Sequence, residues 1–327
     1  MGVLQAQDYA MAKWAVGMRV PNATEQTINN AIHTGDIIRT HVLRPTWHFV
    51  SRQDIHWMLS LSAPKIKSKL AYYHKQSALT HAILKKSNTV IEKALTTHTH
   101  LTRDELVACL KKANIAVDDN RSSHLFLWAE MEGLICSGQL KDNEPTYTLL
   151  DAWVPNKQSF TRDQAIAELA KRYFNSHAPA TLQDFAWWSG LTIAEGKAGM
   201  EALQHNFITE KTGSQTYWLP NNFSLPVQKQ KAAYLLPAYD EYIISYTDRA
   251  AVFTSDIQSQ VITTNGLFKP VLIINGQAIG LWKRTVKKGA VTVSFHFFKA
   301  PPATANALIK KAVKAYEAYC ETNVEIS

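Results

Sequence analysis

The sequence predicts an α+β fold, in which helical segments each end in a β-hairpin and a β-rich domain closes the chain. Three observations support this prediction: a weak internal repeat, helix-start signals ahead of the hairpins, and a change of pattern after residue 222. The chain has 327 residues, 46% of them hydrophobic and 19% charged, which is typical of a folded protein with several domains.

The internal repeat has an apolar pair, a polar stretch and then the pattern Thr-aromatic-x-apolar. Its copies are Ile37-Ile38 with residues 46–49, Leu134-Ile135 with 146–149, and Phe207-Ile208 with 216–219. These segments favour β structure, and Pro45, Gly138 and Gly213 lie in or beside the intervening turns. Each copy therefore predicts a hairpin.

Helices are predicted ahead of these hairpins. Several threonines stand three residues before a Glu, Gln or Asp, which is the spacing of a capping box: Thr102, Thr161, Thr181 and Thr192. Between residues 166 and 174 the apolar positions follow the spacing of a one-sided helix. Helices followed by a two-stranded wing are the plan of a winged helix, a variant of the helix-turn-helix.

The sequence thus predicts three tandem winged-helix units and a C-terminal β-rich domain closed by a helix. We expect domains at 1–100 (with a diverged first unit at 22–62), 101–155, 156–222 and 223–327. In the last domain, residues 271–274, 278–282 and 291–298 are typical of strands, and Asn275-Gly276 predicts a tight hairpin turn. Residues 303–320 predict the closing helix, with an inner face made of Leu308, Ala312 and Ala315.

Charge and composition narrow the functional classes. The 35 Lys and Arg exceed the 27 Asp and Glu, and the net charge of +8 favours a polyanionic partner such as nucleic acid, although ordinary solubility explains it equally well. No apolar run reaches the length of a membrane span and no leader peptide opens the chain, so we expect a cytoplasmic protein without a membrane partner. Cys109, Cys136 and Cys320 do not form a disulfide framework.

Common cofactor and metal motifs are absent from the sequence. It has no P-loop, no dinucleotide glycine fingerprint, no His-Glu-x-x-His and no Cys-x-x-Cys. His98 and His100 have no carboxylate or thiol at ligand spacing, so a solvated loop explains them better than a metal site. We therefore expect neither a cofactor nor a metal.

Several short sequence motifs, spread along most of the chain, can be compared together with known families. They are Leu4-Gln5-Ala6-Gln7-Asp8, residues 43–48 with an Arg-x-Thr-Trp-His segment, 170–174 with 186–190, 235–240 with 248–249, and 275–276 with 280–282. In their order and spacing they resemble the bacterial winged-helix family of the AlkZ-type and YcaQ-type DNA glycosylases. The resemblance implies three winged helices and a β-domain that cup DNA. It also implies hydrolysis of the N-glycosidic bond of alkylated purines, and of crosslinked purines in some members.

The resemblance further implies the catalytic residues. The family signature is Gln-x-Gln in the AlkZ-like branch and Gln-x-Asp in the YcaQ-like branch, and Gln5 and Gln7 match the first. An extended backbone places residues i and i+2 on one side, and Asp8 is a suitable N-cap for a helix over residues 9–18, so both amides can face one target. Without the resemblance, a solvated N-terminal tail is the simpler interpretation.

Neutral amides suit a particular substrate. A carboxamide does not take up a proton at neutral pH, but it holds a water molecule and places a carbonyl dipole beside developing positive charge. A purine alkylated at N3 or N7 is already cationic and leaves without an acid, so the remaining task is to position water and stabilise the sugar. We expect selectivity to come from the leaving group more than from a tight pocket.

The candidates for DNA contact are Trp47, His48, Arg44, Arg121, Lys283, Arg284, Lys287 and Lys288. Trp47 can stack on a displaced base and His48 can bond to a phosphate or sugar, but packing under the wing explains both residues as well. The four cations near the second C-terminal hairpin suit phosphate contacts or a solvated turn. Arg121 begins a helix in the position of a recognition helix, where we expect backbone contact rather than base reading.

The sequence as a whole predicts a nucleoid-associated DNA repair glycosylase that acts on alkylated purines in duplex DNA. No lysine stands at the signature to form a Schiff base and no heptad repeat predicts a coiled-coil dimer, so we expect a monomer without lyase activity. The alternative is a non-enzymatic winged-helix DNA-binding protein or a transcription regulator. Among Tyr239, Asp240, Asp248 and Arg249, we expect a buried Asp–Arg pair that links the β-domain to the rest.

Overall fold

Three regions of the chain share one order of elements, in which a short strand segment, two helices and a β-hairpin follow one another. The computed structural model describes residues 1–118, 120–142, 144–224, 231–287, 289–302 and 304–327. The shared order is that of a winged helix. A fourth region adds a five-stranded sheet among the described residues, so the fold is α+β as predicted.

The first region contains the predicted catalytic signature. Its elements are β1 (Val3–Gln5), α1 (Tyr9–Gly17), α2 (Glu25–His33), β2 (Ile37–His41), β3 (Trp47–Ser51) and α3 (Ile55–Gln76). β3 lies between β1 and β2, which makes β1 an edge strand. Asp8 Oδ1 accepts a hydrogen bond from Met11 N at 3.0 Å, which confirms Asp8 as the N-cap of α1.

The sheet of the first region is buried on both faces. Val3 and Val50 face a core that also includes α3 and the third region. Phe49 faces the opposite way, into a core built from α1 and the C-terminal domain. Because side chains alternate along a strand, Gln5 shares the face of Val3. The end of β1 therefore lies where the first region, the third region and the C-terminal domain meet.

The second region begins earlier than the sequence indicates. Its elements are α4 (His81–Thr97), β4 (Leu101–Thr102), α5 (Arg103–Lys112), α6 (Arg121–Met131), β5 (Ile135–Lys141), β6 (Glu144–Leu149) and α7 (Leu150–Trp153). Leu84, Ile91 and Leu95 of α4 are buried in the same core as Leu106 of α5. The expected boundary at residue 101 cuts through this core, because α4 contributes one of its apolar faces.

The sequence predicted Gly138 in or beside the hairpin turn, but the structure places it inside β5. The pairing of β5 with β6 shifts register between Ser137 and Leu140, so Gly138 lies in a bulge. A Cβ atom on Gly138 would come within 2.4 Å of His100 Nδ1. Close packing against the His100 ring therefore favours glycine here, and a hairpin turn does not explain it.

The third region follows the predicted helix pattern closely. Its elements are α8 (Arg162–His177), α9 (Leu182–Ser189), α10 (Ile193–Glu201), β7 (Phe207–Thr212) and β8 (Gln215–Pro220). The capping boxes of Thr161, Thr181 and Thr192 are all present, as is that of Thr102 in the second region. A β-bridge joins Ala180 to Trp218 and supplies the short strand segment ahead of α9.

The C-terminal domain is built on a sheet with the strand order β13-β12-β11-β10-β9. Its elements are β9 (Ala233–Leu236), α11 (Glu241–Ile244), α12 (Ser255–Val261), β10 (Val271–Ile274), β11 (Gln277–Lys287), β12 (Ala290–Phe297), α13 (Ala305–Cys320) and β13 (Val324–Ile326). Asn275 and Gly276 have φ angles of 50° and 85° and join β10 to β11 in the predicted tight turn.

The closing helix α13 is present, but its buried face differs from the predicted one. Ala312 is buried as expected, whereas Ala315 is exposed. Tyr316 takes the inner position because its ring packs against Trp14 and Trp282, at ring-centre distances of 5.0 and 5.4 Å. The expectation for Ala315 was wrong because these two partners come from remote parts of the chain.

Candidate active site

The predicted signature begins at the end of the edge strand β1. Gln5 stands opposite His48 of β3. Ala6 then donates its N–H to the carbonyl oxygen of Trp47 at 2.7 Å, which keeps the chain beside β3. Backbone bonds alternate along an antiparallel strand, so the N–H of Gln5 points the other way and donates to Glu241 Oε1 at 2.8 Å. The C-terminal domain thus holds the main chain at the first glutamine.

The side-chain amide of Gln5 has one defined orientation. Gln5 is 6% exposed, and Arg44 Nη2 donates a hydrogen bond to its Oε1 at 2.9 Å. A guanidinium group has donors and no acceptor, so the amide oxygen must face Arg44 and the amide nitrogen must face away. Gln5 therefore presents N–H donors to its other surroundings, while its carbonyl is occupied.

Gln7 differs from Gln5 in both exposure and bonding. It is exposed to solvent. Its Oε1 accepts a hydrogen bond from Trp47 N at 3.4 Å, beyond the usual range of such bonds. The carbonyl oxygen of Gln7 is therefore available as an acceptor. Both amides lie beside one short segment, since the contacts of Gln5 and Gln7 come from Arg44 and Trp47.

Glu241 is a buried carboxylate behind the first glutamine. Besides the N–H of Gln5, it accepts a hydrogen bond at Oε2 from Trp188 Nε1 at 2.8 Å and another from Ser245 Oγ at 2.5 Å. Burial raises the pKa of Glu241, and the hydrogen bonds together with the charge of Arg44 oppose that rise. These donors stabilise the ionised form at a site that solvent does not reach.

Arg44, a candidate for DNA contact, turns one guanidinium nitrogen inward to Gln5. Burial lowers the pKa of Arg44, and the charge of Glu241 opposes the shift. The segment before Arg44 is packed tightly on the third region, where Gly190 ends α9 with φ 72°. A Cβ atom on Gly190 would lie 2.6 Å from the carbonyl oxygen of Leu43. Glycine at this position allows the close approach that places Arg44.

His48 is fully buried, and only one of its two ring nitrogens has a hydrogen-bond partner among the described residues. Its Nδ1 lies 2.9 Å from the carbonyl oxygen of Thr46, which can only accept, so Nδ1 carries the proton. Its Nε2 is buried and has no hydrogen-bond partner among the described residues. Burial lowers the pKa of His48 well below its ordinary value, and the positive charge of Arg44 adds to this shift. The imidazole therefore stays neutral, with a bare acceptor nitrogen on the Gln5 side of the sheet.

Trp47 lines a cleft between the first and second regions. The guanidinium of Arg39 lies 4.3 Å from the centre of the Trp47 ring, and the ring of His41 lies 3.9 Å away. Arg103 and Tyr147 of the second region also line this cleft, whose volume is about 370 Å³. Cations and aromatic rings at this spacing are suited to bind a nucleotide. Trp47 can therefore pack against neighbouring side chains and still contact DNA.

Arg121 begins α6, as predicted, but much of its hydrogen-bonding capacity is used within the protein. Its Nε donates to the carbonyl oxygen of Ala116 at 3.1 Å, and its Nη1 donates to that of Ser77. The bond to Ser77 joins the start of α6 to the end of α3, and the bond to Ala116 holds the segment that precedes α6. The structure does not bring Arg121 into contact with the Gln5 site within the described residues.

The hairpin of β11 and β12 separates the cations that the sequence places together. Lys283 and Lys287 are exposed and share one face of β11. Arg284 points to the other face, where its Nη1 donates to the hydroxyl oxygen of Tyr316 at 2.9 Å. Arg284 therefore supports the packing of α13. Lys288 lies outside the described residues.

A buried Asp–Arg pair links the C-terminal domain to the rest of the molecule, but its arginine is Arg19 of the segment after α1. The guanidinium of Arg19 donates to both carboxylate oxygens of Asp240, at 2.8 and 2.9 Å. Arg249 instead donates to the carbonyl oxygens of Ile243 and Thr247. The bidentate pair fixes the start of α11, directly beside Glu241.

Sequence reasoning missed Glu241 and Arg39. Glu241 follows immediately after the 235–240 stretch that belongs to the resemblance. The signal that could have identified it is a pair of acids three residues beyond an apolar strand, within an otherwise apolar stretch, because acidic residues are rarely buried without partners. Arg39 lies in the middle of a predicted strand, and nothing in its local pattern indicates that it stacks on Trp47.

The described residues do not group three or more His, Cys, Asp or Glu side chains in an arrangement that could hold a metal ion. Within the same residues, no helix has both the length and the apolar character required to cross a membrane.

Comparisons with known proteins agree with the resemblance found in the sequence. The family described as DNA glycosylase AlkZ-like matches residues 1–319. A relative from Streptomyces sahachiroi, named Interstrand DNA cross-link repair glycosylase, is 22% identical over 313 residues, covering 88% of this chain and 81% of the relative. The solved structure of Streptomyces sahachiroi DNA glycosylase AlkZ is similar with a TM-score of 0.80 at 18% identity, covering 99% of this chain and 91% of that one.

The family match includes β1, both glutamines, the Arg44 segment and Glu241, which together form the site described above. The similar fold extends over nearly the whole chain. The chain therefore belongs to the AlkZ-like DNA glycosylase family, and it is an enzyme that acts on DNA as an N-glycosylase.

Proposed function

We propose that this enzyme hydrolyses the N-glycosidic bond of cationic alkylated purines in duplex DNA, with Gln5 and Gln7 as its catalytic pair. The observation that carries the proposal is the fixed amide of Gln5, whose carbonyl is held by Arg44 at 2.9 Å. Beside it, Gln7 is exposed and its carbonyl is nearly free. A donor and an acceptor at neighbouring positions are the groups needed to hold one water molecule.

The reaction balances without a protein acid. The bond between C1′ and the purine nitrogen breaks, and its electron pair neutralises the cationic base as it leaves. The oxygen of a water molecule bonds to C1′, and a proton passes to solvent. Gln5 donates to the oxygen of this water. The carbonyl of Gln7 accepts from the water and directs its negative end towards the positive sugar.

The acid–base state of the site supports a charged leaving group. An undamaged purine leaves readily only after protonation, which requires a general acid. Burial and the charge of Arg44 lower the pKa of His48 well below its ordinary value, so His48 is neutral. Glu241 accepts three hydrogen bonds behind β1 and faces the main chain of Gln5. Neither group is placed to protonate a base, which favours substrates that carry their own positive charge.

Crosslinked purines are a natural extension of this substrate class. The similar Streptomyces sahachiroi protein is named for interstrand cross-link repair. A guanine that is joined through N7 to a linker carries the same positive charge as 7-methylguanine, so the same water attack releases it from its sugar. We include N7-linked interstrand crosslinks among the proposed substrates.

Binding to DNA is proposed to use exposed cations outside the site. Lys283 and Lys287 extend from one face of β11 and suit phosphate contacts. Trp47, with Arg39 stacked on it, suits the nucleotide next to the lesion. Arg44 and Arg284 are engaged inside the protein, so we assign them no phosphate contact.

Release of free base from a duplex that contains 7-methylguanine tests the catalytic proposal. Under single-turnover conditions, we expect Gln5→Ala and Gln7→Ala each to lower the rate by about 100-fold, as the loss of one transition-state hydrogen bond does elsewhere. Gln258→Ala, which alters an exposed glutamine of α12, should leave the rate unchanged. No release by the wild type would reject the substrate class, and full activity of both variants would reject the catalytic pair.

The DNA strand that remains after base release shows whether the enzyme also has lyase activity. We expect the abasic strand to remain intact until alkali is added, and borohydride to trap no enzyme–DNA adduct, because Schiff-base chemistry needs an amine at the sugar. Strand cleavage that accompanies base release would contradict a purely hydrolytic enzyme.

A further inference from the structure

Gln5 lies between the buried carboxyl group of Glu241 and the half-buried guanidinium of Arg44. Glu241 Oε1 accepts its main-chain N–H at 2.8 Å, and Arg44 donates to its side-chain oxygen at 2.9 Å. Glu241 is 1% exposed. Arg44 precedes β3 in the first region, whereas Glu241 begins α11 in the C-terminal domain. One catalytic residue is therefore held at two points by partners from distant parts of the chain.

We propose that Arg44 and Glu241 are positioning residues for Gln5. Glu241 fixes the main chain of Gln5 against the edge of the sheet, and Arg44 turns its amide so that the N–H donors face the reacting water. This inference rests on the proposed catalytic role of Gln5. It gives the C-terminal domain a part in catalysis beyond bracing the winged helices.

The need for Arg44 follows from the symmetry of a glutamine amide. The oxygen and nitrogen ends have nearly the same size, so packing alone does not distinguish them. A partner that can only donate selects one of the two orientations. Without Arg44, the amide would flip and its side chain would gain rotational freedom. Positional errors of about 1 Å at a catalytic group lower rates by up to about 100-fold.

The need for Glu241 follows from the charge of Arg44. Among the described residues, no carboxylate forms a salt bridge with Arg44, and Glu241 is the acid whose charge acts on its pKa. A cation that has lost much of its contact with solvent is stabilised by an anion close by. Glu241 supplies that anion through Gln5 and is itself held in place by Trp188 and Ser245. The three groups Arg44, Gln5 and Glu241 thus form one linked unit.

The test measures single-turnover base release and DNA affinity separately, on the full-length protein with the 7-methylguanine duplex. We expect Arg44→Met to lower the rate about 10- to 100-fold while the Kd for DNA changes less than about threefold. Arg44→Lys, which keeps the charge and one donor, should retain an intermediate rate. If Arg44 instead contacts phosphate, Arg44→Met will weaken binding and reduce its salt dependence, and the inference is wrong.

Combining variants shows whether Arg44 acts through Gln5. In a Gln5→Ala background, Arg44→Met should have no further effect on the rate, because the group that it positions is already gone. Additive losses would overturn the proposal. An active Gln5→Ala would instead refute the catalytic role of Gln5, and an inactive Gln5→Ala alongside a fully active Arg44→Met would refute the positioning role alone.

A spectroscopic measurement does not depend on activity. In protein labelled with ¹⁵N-glutamine, the side-chain NH₂ signals of Gln5 are assigned by their loss in Gln5→Ala. We expect Arg44→Lys and Glu241→Gln to shift or broaden these signals, while the signals of the exposed Gln258 stay unchanged. Unaltered Gln5 signals in both variants would exclude a positioning role, even where Arg44→Met does not fold.

Discussion

A glutamine side chain can donate or accept hydrogen bonds, and its neighbours decide which of the two it offers. At Gln5 the guanidinium of Arg44 occupies the carbonyl oxygen and leaves the N–H donors free. At Gln7 the carbonyl receives one long bond from Trp47 N at 3.4 Å and remains an acceptor. In the proposed mechanism the two glutamines therefore have different and complementary roles, which predicts different responses to the same substitution.

Gln5→Glu and Gln7→Glu should separate the two roles. A glutamate at position 5 keeps the bond to Arg44 but has no N–H to offer, so we expect base release to fall by about 100-fold. A glutamate at position 7 keeps an acceptor and adds negative charge beside the positive sugar, so we expect a rate within about tenfold of the wild type. Single-turnover release of 7-methylguanine measures both.

The signatures that the resemblance implies agree with this asymmetry: Gln5 and Gln7 match the AlkZ-like branch, and the YcaQ-like branch has Gln-x-Asp, with an acid at the second position. Thermal unfolding serves as the control. The Gln5→Glu variant should be at least as stable as the wild type, since its new carboxylate pairs with Arg44. A larger rate loss in Gln7→Glu than in Gln5→Glu would reverse the assignment of donor and acceptor.

The sequence predicted Gln5 and Gln7 as the catalytic pair, but it did not predict how their side chains are bonded. The expectation that an extended segment brings both amides to one side stays a prediction, since β1 ends at Gln5 and the chain bends at Gln7, whereas Asp8 does cap α1 as expected. The orientation depends on Arg44 and Glu241, which are 39 and 236 residues from Gln5 along the chain. No local pattern contains contacts of that range, so the difference between the two glutamines required the structure.

Among the helices, α10 depends on a charged capping box. Thr192 N donates to Glu195 Oε2 at 2.8 Å, and Arg162 at the start of α8 donates to Glu195 Oε1. Burial alone would raise the pKa of Glu195, but the hydrogen bonds from Thr192 and the pairing with Arg162 outweigh it and lower the pKa to about 2. The ionised carboxylate therefore ties the start of α10 to α8.

Glu195→Gln should lower stability in a pH-dependent way. A carboxyl whose folded-state pKa is lowered stabilises the protein above its unfolded pKa, and this contribution is lost as the pH falls from about 4.5 towards 2. We expect the variant to be about 1 kcal/mol less stable at pH 7 and the gap to narrow at pH 3.5, measured by urea unfolding. Glu201→Gln, whose pair with Lys197 is exposed at 3.8 Å, should match the wild type at both pH values. A gap that widens in acid would contradict the ion-pair account.

The end of α9 shapes the active site through Gly190. This glycine has φ 72° and lies where a Cβ atom would be 2.6 Å from the carbonyl oxygen of Leu43. We expect Gly190→Ala to destabilise the protein by more than about 2 kcal/mol, because backbone strain adds to a clash with main-chain atoms. It should also slow base release, since the displaced segment carries Arg44. Urea unfolding and single-turnover kinetics measure the two effects.

Gly213 offers a matched control for Gly190. It has φ 59°, and no atom of the described residues lies within 4 Å of the position of its Cβ. Gly213→Ala therefore introduces the backbone strain without the clash. We expect it to cost about 1 kcal/mol and to leave base release unchanged. Equal effects of the two substitutions would show that close packing against Leu43 is unimportant.

Helix starts were more predictable than helix faces. A capping box is contained within four residues, so Thr102, Thr161, Thr181 and Thr192 indicated the correct positions for α5, α8, α9 and α10. The inner face of α13 was predicted incorrectly at Ala315, because the ring of Tyr316 packs against Trp14 and Trp282. Local hydrogen bonds were visible in the sequence, whereas the partners of large side chains were not.

At the scale of the whole molecule, the candidate active site around Gln5 depends on contacts between regions that are remote in sequence. The main chain of Gln5 is held by Glu241, and Glu241 is held by Trp188 of the third region. The bidentate pair of Arg19 and Asp240 fixes the same part of the C-terminal domain to the segment after α1. The repeated hairpin pattern predicted the order of elements along the chain. It did not predict this convergence, nor that α4 belongs to the core of the second region.

The net charge of +8 attracts DNA at long range, but local contacts determine how many counterions binding releases. We expect Lys283→Ala with Lys287→Ala to reduce the slope of log Kd against log salt concentration by about 2, since each lost phosphate contact contributes about 0.9. Fluorescence anisotropy with an undamaged duplex over a salt series measures this slope. The rate of base release at saturating enzyme should change little, because neither lysine belongs to the Gln5 site.

Lys310→Ala with Lys314→Ala distinguishes local contact from total charge. These two lysines are exposed on α13, which packs on the face of the sheet opposite to Lys283 and Lys287. Both double variants lower the net charge by the same amount, so long-range attraction changes equally. If β11 contacts phosphates, the slope of log Kd against log salt concentration should fall only in the variant that lacks Lys283 and Lys287. Equal slopes in the two variants would mean that DNA does not meet this face of the hairpin, and that the enzyme is attracted by its overall charge alone.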